Sequence, residues 1–500
     1  MLQRIKPFLT IALLAVICRE ASAFSLIGAF QPWQVQRIGH NVPGDIGGVM
    51  NLGEEYRWNN PFIYYALDRN FLDYFGSRGE EEIDKAIKTL NDLPKMSSLD
   101  PNSYPLKTQR SNYRAQALNL LDLKSIALST LLEEIGLTSP SRYVFCLRSR
   151  FIGPGGPTPT NYFVIKRNFD PITFEPTSYI NGDLWTYVTI TDGDIESDVI
   201  NRRVDPLAYG APVADSSGNG GFTFFQTGDF FTGLTRDDVG GLRYIYSPLN
   251  KNVENPIPNA FGSTFGGGPI LSGGGQANGS PWEPFFISTN GIGTTVGGAA
   301  GSPWAPVAIS TNNATGTPPA GGGVTPAGTN NFISTALRGG PDKLNFVKAQ
   351  YDSLLGQFLT QVLDTFTDTI ITNGAGFSQT LQRIISVPDI LFTADDISGP
   401  DTTIVLPTLA RTANWVNNAV INNRNLANES GPGTIAPTVT ITFNNVGLAN
   451  FNFWPPSLDE PGAGLANFAW GSFDGTTNEP IVYPAGISIQ DLERRALGGR

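Results

Sequence analysis

Histidine, cysteine and charge are all scarce in this chain: its 500 residues hold one His, two Cys and 15% charged side chains, against about 25% charged in ordinary soluble domains. A single imidazole, His40, cannot build a three-histidine metal cage, and it leaves any serine or cysteine nucleophile only one histidine base to use. No G-x-S-x-G elbow is present. His40 stands in Gly39-His40-Asn41, a turn sequence, and reads as a loop residue. Basic runs are missing too. With 33 Lys and Arg against 44 Asp and Glu, a net charge of −11 and no aromatic RNA-binding motif, the chain is not expected to bind nucleic acid. Its 56 Gly and 37 Pro follow no Gly-X-Y period, which excludes a collagen-like rod and assigns the excess to loops or a linker.

Long apolar runs are lacking as well. Arg4 and Lys6 precede an apolar stretch from Phe8 to Cys18 that ends near Ala21-Ser22-Ala23, the pattern of a secretory signal peptide over residues 1–23. The stretch is about eleven residues, and a bilayer span takes roughly 20, so an uncleaved anchor is the weaker alternative. No later segment qualifies, and no lipobox cysteine, sorting motif or C-terminal apolar tail is present. The expectation is a mature chain without a transmembrane anchor, released to the periplasm or exterior after cleavage near Ala23. Cleavage removes Cys18, so Cys146 remains alone and no intramolecular disulfide forms. Cys146 lies in Tyr143-Val144-Phe145-Cys146-Leu147, which suits a buried strand, and reads as a core thiol rather than a nucleophile.

Between Asn255 and Leu337 the composition changes, with 18 Gly and one charged residue, Glu283, in 83 positions. Inside it Gly279-Ser280-Pro281-Trp282-Glu283-Pro284-Phe285-Phe286-Ile287-Ser288-Thr289-Asn290 recurs 22 residues later with nine of twelve positions identical. The duplicated Trp282 and Trp304 make a candidate surface-docking repeat, since exposed indoles are costly to leave in water. Duplication in a tolerant linker is the plainer reading.

The organisation read from these signals is an α+β domain over residues 24–250, a Gly/Pro-rich linker over 251–337, and a mainly-β, sandwich-like domain over 338–500. Ile63 to Leu67 suits a strand, and Ser77 with Glu80 forms a capping box for a helix presenting Ile83, Ile87 and Leu90. A longer helix is predicted from Ser111, with Ala117, Leu121, Leu128, Leu132 and Ile135 on one stripe, ending at Gly136. Strands are predicted at Tyr143–Leu147, 162–166 and 184–191. After the linker, Val439, Ile441 and Phe443 alternate with threonines, as in a half-buried strand.

Three pieces carry a resemblance: Ile63-Tyr64-Tyr65-Ala66-Leu67-Asp68, the helix end Ile135-Gly136-Leu137, and Leu234-Thr235-Arg236-Asp237-Asp238-Val239-Gly240-Gly241-Leu242-Arg243-Tyr244-Ile245-Tyr246. In this order they resemble the metzincins, in particular the matrixin-type secreted zinc endopeptidases, over about residues 60–248. The last run looks like the closing helix of that domain, with Asp237 and Asp238 placed well against its dipole. The resemblance implies the motif H-E-x-x-H-x-x-G-x-x-H, in which histidines hold zinc and the glutamate activates a bound water. If Gly136 takes the motif glycine, the ligand positions fall on Ser129, Glu133 and Ser139 and the catalytic glutamate position on Thr130. That set cannot replace the original, so the resemblance implies a metzincin-like scaffold without its metal chemistry, a pseudoenzyme.

Other chemistry stays open. Asp192, Asp194, Glu196 and Asp198 fall within seven residues after a strand and could ligate calcium; a solvated turn is the alternative. Asp215-Ser216-Ser217-Gly218 and Asp474-Gly475-Thr476 only loosely suggest aspartic turns, and solvated carboxylates are commoner. Trp415, Trp454 and Trp470 make either a sugar-stacking platform or core. Two functions are consistent with this: a non-catalytic module that holds an extracellular polymer or protein, or a secreted hydrolase, peptidase or glycosidase, that works through carboxylates and a divalent ion.

Overall fold

Parallel strands buried on both faces read as near-continuous apolar runs, and the runs Ile63–Leu67 and Val439–Phe443 turn out to belong to the same sheet. The computed structural model describes residues 23–42, 44–152, 159–192, 196–215, 226–258, 260–262, 333–372, 375–397, 409–422, 431–445, 449–451 and 466–484. The predicted signal peptide up to Ser22 and both Trp repeats lie outside them, while Ala23, its last residue, is described and buried. Its central sheet joins β1 (Phe62–Leu67), β2 (Asn345–Lys348), β3 (Ile390–Asp395), β4 (Leu409–Arg411) and β5 (Val439–Asn444) in the order β2-β1-β3-β5-β4. The first four run parallel and β4 is antiparallel to β5.

Both faces of this sheet are covered. On one side lies α1 (Arg69–Asn91), whose Phe71 and Phe75 rings each stand 5.8 Å from Phe443. Tyr65 on the same face donates its hydroxyl to Asp84 of α1 at 2.9 Å. On the other side Tyr64 and Ala66 cluster with Phe358 and with Val362 and Ile385 of the antiparallel hairpin formed by Val362–Thr372 and Ala375–Ile385. In β5, Val439, Ile441 and Phe443 are buried while Thr440 and Thr442 are half-buried, as the alternation predicts.

Helix α1 begins earlier than the Ser77 capping box indicates. Asp68 accepts the Arg69 N–H, and the helix is broken at Gly76 (φ 62°, ψ −168°), so the Ser77 boundary is an internal restart. Ile83, Ile87 and Leu90 are buried as predicted. The long helix expected from Ser111 is corrected to two. A short helix, Tyr113–Ala117, is capped by Asn112; Asn119 then turns left-handed (φ 54°), and Leu120–Asp122 is extended. Only then does α2 (Leu123–Glu134) start, with the Asp122 carboxylate accepting the Ser125 N–H at 3.0 Å. A side chain that bonds nearby backbone in this way favours a helix start over a helix interior. All residues of α2 except Lys124 are buried, so it is a central helix rather than a surface one.

The two-domain expectation is also corrected. Strand β1, from the first segment, sits between β2 and β3 from the last. Leu120–Asp122 pairs parallel with Ala466–Ser472, and Tyr56–Arg57 with Gly433–Ile435. Residues 23–260 and 333–484 thus form one compact unit, a mixed fold in which strand exceeds helix. The predicted linker gives up its ends to the fold, since Lys251–Glu254 pairs antiparallel with Ala336–Gly339. Composition marked a break in the chain, not in the body. Among the described residues no helix is long and apolar enough to cross a membrane.

A chain cut to residues 24–260 keeps β1 but loses the other four central strands. It is expected to show no cooperative thermal transition by circular dichroism, whereas the full chain melts sharply; a sharp melt of the fragment would contradict the shared sheet.

Candidate functional site

The positions that the peptidase comparison singles out all lie in or just after the C-terminal half of α2, and each is enclosed. Ser129 is fully buried, and its hydroxyl has no hydrogen-bond partner among the described residues. Thr130 donates its hydroxyl back to the Ile126 carbonyl at 2.9 Å. Glu133 forms a buried ion pair with Arg411 of β4. Burial draws the Arg411 guanidinium down to about 10, with Asp45 opposing that shift, and Arg411 also donates to the Gly44 carbonyl at 3.3 Å.

Gly136 follows with φ +105°, and a Cβ there would stand 2.6 Å from the Tyr56 carbonyl oxygen. Only glycine fits such a left-handed, crowded turn. The helix-end carbonyls are satisfied from outside: Trp58 Nε1 donates to Glu134 O at 3.0 Å and the Tyr246 hydroxyl to Ile135 O at 2.8 Å. Glu134 itself is buried with neither carboxyl oxygen hydrogen-bonded among the described residues, and burial pushes its carboxyl well above the usual range.

Ser139, the third ligand position, donates its hydroxyl to Asp215, which also accepts the Ser141 N–H at 3.1 Å. Asp215, expected to be a solvated turn carboxylate, is only 2% exposed, and burial raises it to about 6 against those hydrogen bonds. The neighbouring α3 (Arg236–Tyr246) starts where the sequence places it. Thr235 and Asp238 form a reciprocal capping box, and the Asp238 carboxylate also accepts Val213 N and Ala214 N, both at 3.1 Å. Asp237 accepts the Asn181 N–H at 2.7 Å. These carboxylates organise loops rather than face a solvent cleft.

His40 lies in a loop, as read from the sequence, but it is buried there. Its ring meets the Trp33 edge at 4.9 Å and stacks on Tyr143 at 5.9 Å. Burial, with Arg142 adding to it, lowers His40 to about 3, so the ring is neutral at ordinary pH. Cys146 is a buried thiol, as expected, and donates to the Tyr143 carbonyl at 3.3 Å.

The acidic run sits at the end of a β-hairpin: strands Asp183–Asp192 and Glu196–Arg203 pair with Asp192 opposite Glu196 and Asp198 opposite Ile190. Asp194 lies outside the described residues. Trp470 is core, donating to Asn444 O at 2.8 Å, and Trp415 packs edge-on to Tyr56, so the two do not make a platform. Trp454, like Trp282 and Trp304, lies outside the described residues.

Sequence reasoning missed Arg411 and the ion pair of Arg142 with Asp45, which is bidentate at 2.5 and 2.7 Å. No local spacing signals a partner so far along the chain. Comparison with known proteins finds no matching family model, no matching curated protein and no matching solved structure.

Removing one member of a buried ion pair leaves the other uncompensated, at a cost of about 3–5 kcal/mol. Arg411→Met is expected to lower unfolding free energy by about that amount in denaturant titrations, and adding Glu133→Leu to recover most of it. Asp215 gives a pH signature. Its folded value lies above 3.8, so its contribution is full below about pH 4 and is lost as pH rises through about 6. Asp215→Asn is expected to flatten stability over that window.

Proposed function

We propose that the chain is an exported, non-catalytic binding or structural protein, built on a scaffold that resembles the matrixin-type peptidases without their zinc chemistry. The observation that carries this reading is the Glu133–Arg411 pair. The one carboxylate among the three ligand positions is committed to a guanidinium, and a cation there would have to displace it. Ser139 is likewise committed to Asp215. Thr130, in the place of a water-activating glutamate, has no basic group to offer.

A hydrolase using carboxylates is the competing reading. Asp215 and Glu134 do have raised values, but both are enclosed, where a substrate bond cannot reach them. General acid–base work needs hydrogen-bond reach to the reacting group. Export is proposed from the N-terminal pattern of Arg4, Lys6 and the apolar run to Cys18.

Elemental analysis of the purified chain, with casein and polysaccharide assays with and without chelator, tests this. The expected result is no stoichiometric zinc and no chelator-sensitive hydrolysis. One equivalent of zinc together with proteolysis abolished by chelator would overturn it.

A further inference from the structure

A lone exposed leucine, such as Leu249 at 84%, is ordinary on a protein surface. The short hairpin after β2 is different. Four leucines fall there within ten positions, and each is at least half exposed: Leu354 at 98%, Leu355 at 60%, Leu359 at 61% and Leu363 at 50%. Tyr351–Asp352 pairs antiparallel with Gln357–Phe358, and the apex between them, Ser353 to Gly356, is exposed throughout. Clustered apolar exposure of this kind marks a contact surface.

The apex is anchored below and satisfied within. Phe358 is buried with Tyr64 and Ala66 of β1, and Ser353 Oγ accepts the Arg69 N–H of α1 at 2.8 Å. The Asp352 carboxylate accepts Leu354 N at 2.9 Å and Leu355 N at 3.1 Å. Its carbonyl accepts Gly356 N at 2.8 Å, and Leu359 N reaches the Gln350 carbonyl at 3.0 Å. Gly356 closes the turn at φ +68°, a conformation glycine adopts without steric cost. The backbone donors beside the leucines are thus bonded before any partner arrives. A loop that adds a strand to another protein offers such donors to it. A loop that enters hydrocarbon has to satisfy them itself.

Charge selects the kind of surface. From Ala349 to Gln382 the chain carries Asp352, Asp364 and Asp368 and no lysine or arginine. The nearest cations are already paired, Lys348 with Glu80 and Asp84 and Arg69 with Asp73. An anionic headgroup therefore finds no basic cluster here, and a body of net charge −11 is repelled by an anionic leaflet.

We infer that this apex inserts into the surface of a neutral, zwitterionic lipid bilayer as a shallow peripheral anchor. Leu354 and Leu355 enter the acyl boundary, Leu359 lies behind them, and Asp352 stays bonded to the apex backbone. A few leucines bury less apolar area than a myristoyl chain, whose own membrane binding is marginal and reversible, so the attachment is transient. The inference is independent of the peptidase comparison, because it uses none of the residues at the end of α2.

Co-sedimentation with sucrose-loaded vesicles is the test, using the whole chain from Phe24 onward so that the N-terminal apolar run cannot act as a second anchor. The vesicles are phosphatidylcholine alone or mixed with phosphatidylglycerol, in low and high salt, with sedimentation velocity run beside them without lipid. The chain is expected to bind neutral vesicles at about 1 mM lipid, at least as well as mixed ones and equally in both salts. Leu354→Ser is expected to weaken partitioning by about tenfold at unchanged melting temperature, and the control Leu249→Ser to leave it unaltered. Absence of binding to neutral vesicles at that concentration, or binding that requires phosphatidylglycerol, would overturn the inference. So would full binding by the double variant Leu354→Ser with Leu355→Ser, an equal loss in Leu249→Ser, or a lipid-free dimer that the apex substitutions dissolve.

Discussion

A buried charge must be paired, and in this protein the pairs, together with the further hydrogen bonds their members make, tie segments that are remote in sequence. Among the described residues, Arg57 pairs with Glu254, Arg338 with Asp368, Arg383 with Asp389 and Glu133 with Arg411, all enclosed. Their spare hydrogen bonds cross between the two halves. Arg57 donates to the Arg338 carbonyl at 3.2 Å, and Asp389 accepts the Tyr64 N–H at 2.8 Å. Such pairs add little net stability compared with apolar residues of the same size, but a broken one is expensive. They therefore discriminate: a register that parts one of these guanidinium groups from its carboxylate is heavily penalised, whereas a merely apolar interface would tolerate slippage. A chain poor in charge places several of its few charges where they decide which strand lies beside which.

Helix α2 bears the consequence of that arrangement. Its far end is crowded by Tyr56, Trp58 and Tyr246 and pinned through Glu133 to the antiparallel edge strand of the central sheet. A catalytic centre at this place would need open coordination positions and a route for substrate. Here the space is taken by Arg411, delivered by a segment that enters the sheet more than half the chain later. Polar residues remain at the comparison positions, but all of them are enclosed. A solvent-facing cavity lies elsewhere, beside the strand that carries Arg148 and lined by Trp33 and Phe163.

Local signals in the sequence proved accurate about local things. The Ile83, Ile87 and Leu90 stripe, the Val439 to Phe443 alternation and the start of α3 at Thr235 each depend on residues within a few positions of one another. The break at Asn119 was hidden because Ala117, Leu121 and Leu128 keep helical spacing across it, and only the backbone-bonding Asn and Asp side chains oppose it. The strand at Glu196–Arg203 was hidden because its carboxylates read as a loop. The shared sheet was beyond reach for a different reason. Parallel strands need no short turn between them, so nothing near Phe62 indicates Asn345 or Ile390 as its neighbours. The candidate site was legible by position but not by partner: Ser129, Glu133 and Ser139 could be numbered, while Arg411 and Asp215, which define what they do, could not.

The antiparallel pairing of Lys251–Glu254 with Ala336–Gly339 has a corollary for the length of the insert. Glu254 and Ala336 lie opposite each other in that pairing, so the two ends of the Gly-rich stretch are held side by side whatever the number of residues between them. Closing a longer tether costs only about 0.6 kcal/mol for each doubling. By that cost alone, a change in the number of tryptophan units between those two strands would leave their pairing nearly as favourable as before.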